Sequence, residues 1–306
     1  MRRALVTGAE GFIGHHLVSH LLAAGWQVDG STRQQPDRPA YRVVPAASLA
    51  GHDLSNYNVV FHLAGMAHGN VRGQSEQQLR SANVDQTVAL YRQAVAANVP
   101  RFIWVSSIKV MGDISITPFS VDDAPDPQDA YGRSKARAEQ ALQAQPAGTT
   151  RLSMVRPALV YGPGVKENFF MLLKLANSGL PLPLGSAKAP RAMVSVDNLV
   201  DLLDTLANTE VERLPAVLHV RDAEESSVRH LFRRLAGSLG ARSRLFPFNP
   251  GLAMSMARVI GKGPLAQRLF CPLQVDMQST IDALDWRPPY DQNSELDKVA
   301  RWYLTR

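Results

Sequence analysis

One cysteine in 306 residues rules out an intramolecular disulfide. With no second thiol or histidine cluster beside it, Cys271 does not form a metal-site pattern and reads as a small buried apolar residue. Long hydrophobic runs are missing as well. None approaches the roughly 20 residues that cross a bilayer, and the opening MRRALVTGAEG turns to glycine and acid too early for a signal peptide. A cytoplasmic location without stable membrane insertion is expected. A formal charge of +6 with pI near 9.6 suits an anionic ligand. The arginines are scattered, however, and the basic tail or aromatic-basic stripe of a nucleic-acid binder is absent. There is no internal repeat or low-complexity tract. Apolar residues are plentiful, at 45%, enough for a large core in one domain or two closely joined ones.

The first positive signal is ALVTGAEGFIGHHLVSHLLAAGWQV. An apolar strand at Ala4–Val6 runs into Gly8, Gly11 and Gly14, and then into a helix whose Leu17, Val18, Leu21 and Leu22 recur at helical spacing. Glycines between a strand and a helix permit a tight turn and close backbone approach, so that a pyrophosphate can rest on the free amides of the helix start. The spacing is GxxGxxG, and a plain turn would also satisfy it.

Residues 58–65, 101–107, 152–162 and 216–220 are strand-like, with helical stretches such as 82–97 and 131–145 separating the first three. This alternation predicts an α/β fold with a doubly wound parallel (Rossmann) sheet. Ligands then lie at the carboxyl ends of the strands, where Gly8, Gly65 and Ser107 fall. Turn formers accumulate after residue 162, which predicts a smaller, mostly C-terminal substrate-binding lobe. The expected boundaries are 1–162 for the dinucleotide-binding domain, with sheet elements returning around 192–240, and 163–191 plus 241–306 for the lobe.

In DAYGRSKARAEQAL, Tyr131 and Lys135 are four apart and share one helix face. An ammonium beside a phenol favours the phenolate, which makes a tyrosine usable in proton transfer near neutrality. An ordinary exposed pair would have the same spacing.

Taken together, TGAEGFIG, HLAG, NVDQT, SSIKVMG, YGRSK, RPALVYGPG, RAMVSVDN and LDWRPPY resemble, in order and over nearly the whole chain, the extended short-chain dehydrogenase/reductase family. The similarity is to its nucleotide-sugar epimerases, dehydratases and reductases. The resemblance implies Tyr131 as acid/base, Lys135 on the nicotinamide ribose and tuning Tyr131, and Ser107 on the sugar oxygen that changes oxidation state. It implies a cofactor cradle of Gly8, Gly11, Phe12, Ile13 and Gly14, with Leu63, Ala64 and Gly65 along a ribose and Pro157 at the nicotinamide end. Asn83 resembles a structural asparagine, although a helix N-cap would also account for it. Dehydratases of the family carry an Asp-Glu pair after the catalytic hydroxyl residue. Ile108 and Lys109 stand here instead, so elimination is not expected. A lysine at a strand end is ordinarily solvated.

Strand two should end near Ser31, where NAD-using relatives place an aspartate. Thr32 and Arg33 follow here, and an arginine can grip a 2′-phosphate that an acid would repel. NADP(H) is therefore the favoured cofactor at this stage, with NAD(H) as the alternative. The resemblance further maps Asn168 and Arg191, with Arg268 as a third candidate, onto positions holding the diphosphate and sugar, for which arginine's planar fork is suited. The text around SSIKV and PLPLG is similar to bacterial enzymes that make UDP-N-acetyl-6-deoxyhexoses for lipopolysaccharide O-antigen. The expected reaction is reduction of the 4-keto group of a UDP-2-acetamido-2,6-dideoxy-hexos-4-ulose. The alternatives are an NAD-dependent UDP-sugar 4-epimerase and a non-catalytic dinucleotide-sensing protein. Helices 82–97 and 131–145 resemble the family's dimer-forming pair, so a homodimer is expected.

Overall fold

The computed structural model describes residues 2–33, 39–66 and 76–306. Its centre is a seven-stranded sheet built from β1 (Arg3–Thr7), β2 (Gln27–Thr32), β3 (Arg42–Pro45), β4 (Val59–His62), β5 (Arg101–Val105), β6 (Arg151–Pro157) and an edge strand at Val217–Val220. Every pairing is parallel. From the edge strand, the order runs β6, β5, β4, β1, β2, β3. The chain winds outward in both directions from β1, and this reversal opens a crevice at the strand ends.

Alternate side chains on each strand enter different cores, as a period of two requires. Ala4, Val6, Val59, Phe61, Ile103 and Val105 pack with α1 (Phe12–Ala23) and the long helix Val196–Asn208. Leu5, Val60, Phe102 and Trp104 pack on the other face with α2 (Gln86–Ala96) and α3 (Ala130–Gln143). Burial on both faces explains why these strands read as continuous apolar runs in the sequence.

Two elements differ from the sequence expectation. The strand expected over 152–162 is two strands, β6 and then β7 (Leu159–Tyr161). They separate at Ala158, whose amide goes to Val220 on the edge strand, and β7 leaves the sheet to pair with β8 (Met193–Ser195). The helix expected over 82–97 begins with a wide π-helical turn at Ser81–Asp85 and becomes regular only from Gln86. The sheet edge β3 has only four residues and no alternation long enough to read from sequence.

The helix Val196–Asn208 on the sheet is α5. A separate lobe has its own core, formed by α4 (Glu167–Asn177), Met193 of β8, α6 (Val228–Ser238) and the C-terminal helix Gln292–Leu304. Between α6 and that last helix stands a hairpin of α7 (Pro250–Val259) and α8 (Gly263–Phe270). Among the described residues no helix is long and apolar enough to cross a membrane.

Candidate active site

After β1 the chain turns at Gly8, whose φ of +71° suits glycine. The Gly8 and Ala9 amides donate to the Ser31 carbonyl at 2.9 and 3.3 Å, tying the turn to the end of β2. A Cβ on Gly8 would lie 3.0 Å from the Ala64 nitrogen, and one on Gly14 only 2.1 Å from the Gly8 oxygen. The turn therefore lies flush against both Leu63–Ala64 and the start of α1. Gly11 caps α1 in an extended conformation without a side-chain bond. The amides of Phe12, Ile13 and Gly14 are those a helix start leaves without an intrahelical acceptor. Phe12 and Ile13 send their side chains toward the cores. This turn fits a dinucleotide pyrophosphate: close backbone approach, outward amides and the positive end of a helix dipole.

At the end of β2, Thr32 is half-buried and Arg33 is exposed. The strand's one acid, Asp29, lies inside it. Its carboxylate accepts from Arg3 at 2.7 Å, pairs with Arg42 at 3.1 Å and receives the Tyr57 hydroxyl. It braces the sheet edge.

Beyond β5 lies the Ser107 turn. Ser107 caps a short 3₁₀ turn, its Oγ accepting the Lys109 amide at 3.3 Å, and its hydroxyl also hydrogen-bonds Tyr131. Asp129 caps α3 by accepting the Gly132 amide at 2.7 Å, which sets Tyr131 and Lys135 on the side facing Ser107. Burial pushes the Tyr131 phenol up to about 12. Its Ser107 bond lowers it and the Asp129 charge adds to the rise. This corrects the expectation of a lysine-lowered phenol. The Lys135 ammonium instead donates to the Val105 carbonyl at 2.8 Å and lies over the Trp104 ring, while burial lowers it to about 8. A Cβ on Gly65 would be 3.8 Å from this ammonium, so Lys135 lies beside the β4 end, next to Leu63, Ala64 and the glycine turn.

Lys109 is not the solvated lysine expected at a strand end. It forms ion pairs with Asp113 at 2.7 Å and with Asp129, the cap of α3. Asn83 is not an N-cap. It exchanges hydrogen bonds with the backbone of Met66 at 2.7 and 3.2 Å and donates to Ser134 at 2.9 Å, fastening the segment after Gly65 to α3. Sequence reading also missed the buried pair beneath Lys135, in which Glu139 accepts from Arg156 at 2.6 to 3.2 Å and from Ser106 at 2.6 Å. Glu139 is one turn beyond Lys135 on the same face, a signal that exists but does not name its partner.

Pro157 ends β6 opposite Val220. Arg191 donates to the Cys271 carbonyl at 2.8 Å. Burial lowers its guanidinium to about 10, with Asp113 acting against the shift and the Arg268 charge adding to it. The two arginines thus fall within electrostatic reach of each other. Asn168 is in the first turn of α4, and its side chain lies outside the described residues. Cys271 is free and partly buried, and no metal-holding cluster occurs among the described residues.

A strand-turn-helix cradle for a dinucleotide and a Ser-Tyr-Lys group at the next strand ends define an NAD(P)-dependent oxidoreductase or epimerase. Residues 4–217 match the model of the NAD dependent epimerase/dehydratase family, and the chain belongs to that family. It is 34% identical to UDP-glucose 4-epimerase of Vibrio cholerae, over 98% of this chain and 95% of that protein. It is 30% identical to ceramide reductase of Caulobacter vibrioides, over 83% of this chain and 76% of that one. The solved structure of MoeE5 in complex with UDP-glucose and NAD is 25% identical and superposes with a TM-score of 0.79 over 99% of both chains. A second MoeE5 structure holds UDP-glucuronic acid and NAD. These complexes overturn the expectation that NADP(H) is favoured, and NAD takes its place as the favoured cofactor. The physical reason is that Arg33 is exposed on the loop after β2. Its place in the chain after β2 does not by itself build a phosphate site.

Proposed function

We propose that this protein is an NAD-dependent 4-epimerase of UDP-sugars. The observation that carries the reading is the Ser107–Tyr131–Lys135 group beside the glycine turn, in a chain 34% identical along almost its whole length to a UDP-glucose 4-epimerase. NAD, when bound, supplies a hydride acceptor and returns the hydride. Gly8, Gly11, Phe12, Ile13 and Gly14 would hold its pyrophosphate, and Leu63, Ala64, Gly65, Lys135 and Pro157 its ribose and nicotinamide end. Thr32 and Arg33 would border its adenosine.

Tyr131 takes the proton of the C4 hydroxyl as C4 loses hydride, and gives it back to O4 after the sugar has turned. Ser107 holds O4 from the other side. A phenol near 12 is a poor base. Lys135 therefore works by turning from the Val105 carbonyl toward the phenol, where its charge favours the phenolate. Arg191 and Arg268 bind the diphosphate from the lobe with Asn168, and residues 1–162 with the returning stretch 194–220 form the dinucleotide-binding part, whereas Val228–Ser238, expected with that part, packs in the lobe. Ile108 and Lys109 leave elimination without its carboxylate pair.

The test is incubation with UDP-glucose, UDP-galactose and their N-acetyl forms. Interconversion of 4-epimers without net NADH formation, by protein carrying bound NAD, supports the reading. Stoichiometric oxidation of NADH with a UDP-4-keto-6-deoxy-N-acetylhexosamine, and no epimer interconversion, would replace it with the 4-ketoreductase reading.

A further inference from the structure

Residues 226–275 contain no aspartate or glutamate and eight cations, namely Arg229, Arg233, Arg234, Arg242, Arg244, Arg258, Lys262 and Arg268. The whole chain is only +6, so this segment holds all of the excess, and the remainder is slightly acidic. Within it, the α7–α8 hairpin gathers large exposed apolar side chains. Leu252, Met256 and Leu265 are about half exposed, Ile260 is 67% exposed and Val259 88%.

The arrangement of the hairpin runs opposite to that of a helix packed onto a core. Small residues Ala253 and Ala257, with Met254, take the more sheltered positions, while Leu252, Met256 and Val259, spaced i, i+4 and i+7, line the solvent side. α8 is fixed to the lobe by buried Ala266 and by Leu269 and Phe270, which pack on the lobe core, so α7 stands outward on a rigid base. At the apex the order is Arg258, Val259, Ile260, Gly261, Lys262, all exposed. Two branched apolar side chains thus project between two cations. Arg242, Arg244 and the partly exposed Phe246 lie on the stretch leading into α7.

We propose that the α7–α8 hairpin attaches the protein peripherally to a membrane surface that bears anionic lipids. Val259, Ile260 and Met256 enter the boundary between headgroups and acyl chains, and Arg258 and Lys262 meet the lipid phosphates. Charge selects this occupant. A second copy packed symmetrically on this face would bring the same acid-free segment against itself, whereas an anionic surface attracts the exposed Arg242, Arg244, Arg258 and Lys262, and an interfacial helix buries its apolar face only shallowly. The hairpin is too short to span a bilayer, so attachment is reversible and salt-sensitive.

The test uses the full chain with vesicles of phosphatidylcholine mixed with phosphatidylglycerol, and of phosphatidylcholine alone. The wild-type protein is expected to sediment with the mixed vesicles, much less with the neutral ones, and to be released by raised salt. Val259→Glu with Ile260→Glu, and separately Arg258→Ser with Lys262→Ser, should each lower the partition coefficient by about tenfold or more. All four side chains are exposed, so thermal unfolding of both variants should match the wild type. Failure of the wild type to bind mixed vesicles, or undiminished binding by both variants, would overturn the proposal. So would a wild-type oligomer, without lipid, that the apolar variant dissociates, because that outcome assigns the face to a second copy.

Discussion

Lys109 holds two carboxylates together, one four residues ahead in the same loop and one at the cap of α3, so a single ammonium joins the Ser107 turn to the helix carrying Tyr131. Lys109→Ala would remove the ammonium that joins Asp113 to Asp129 and loosen the start of α3. Turnover should fall by about tenfold with a smaller change in KM, since misplacement affects the reacting geometry more than binding. Recovery with Lys109→Arg separates positioning from simple loss of stability. Tyr131→Phe removes the proton carrier itself. Its turnover should fall by at least about 100-fold while bound NAD is retained, and a variant with wild-type turnover would remove Tyr131 from the mechanism. At this same scale, Arg191 and Arg268 illustrate how two cations 77 positions apart in the chain come within reach of each other only in the fold.

At the scale of elements, α3 is the most constrained helix of the site. Asp129 caps it, Asn83 fastens Ser134 near its start, and Glu139 is bonded below by Arg156 from β6. The Glu139–Arg156 pair is buried and the carboxylate also accepts from Ser106, so it orders the base of the site. Glu139→Ala would leave a guanidinium charge buried without its partner, at a cost of about 3–5 kcal/mol. The joint change Glu139→Leu with Arg156→Met should cost markedly less, because it removes both charges. Urea unfolding of the three proteins checks this ordering. The break between β6 and β7 belongs to the same scale. Ala158 bonds to the edge strand, and the chain then passes into the lobe after β7 and returns at β8, with Arg191 just before it.

At the scale of the molecule, two buried histidines make stability depend on acidity. His62 is held between Thr7 at 2.7 Å and Thr87 at 2.9 Å. Burial, reinforced by the Lys135 charge, lowers it to about 3. His219 contacts the Phe119 carbonyl at 3.1 Å, and burial, with Arg156 as the next cause, lowers it to about 4. Both are depressed below the ordinary 6.5, so on acidification the unfolded chain takes up protons first. The stability is complete above about pH 6.5 and declines as pH falls toward the folded values. Between pH 7.5 and pH 5, each histidine should withdraw about 2 kcal/mol. Urea midpoints at the two pH values measure the decline, and His62→Gln should lessen its slope by one proton's worth.

The order of elements and the candidate residues of the site were legible because both are local. A glycine turn between strand and helix, a hydroxyl at a strand end and a YxxxK helix are short patterns, and burial on both sheet faces marked the parallel strands as apolar runs. The exit of β7 from the sheet was not legible because its partner β8 is distant in the chain; the edge β3 is too short to show alternation, and the π-helical turn before α2 holds Asn83 against Met66 and Ser134, which are not its chain neighbours. The direction of the Tyr131 shift was misread for the same reason. Spacing places Lys135 on the phenol's face of the helix, but the Val105 carbonyl, supplied by another strand, takes its ammonium and leaves burial to dominate. Arg33 was read as a phosphate grip from its place after β2, although its exposure is ordinary and the NAD complexes of the related MoeE5 point the other way. The sequence by itself determined which residues could do the chemistry, because that depends on side-chain type and local spacing. Only the tertiary structure decided which charges meet, because ion pairs such as Lys109–Asp129 and Arg156–Glu139 form between segments that the fold, and not the chain, makes neighbours.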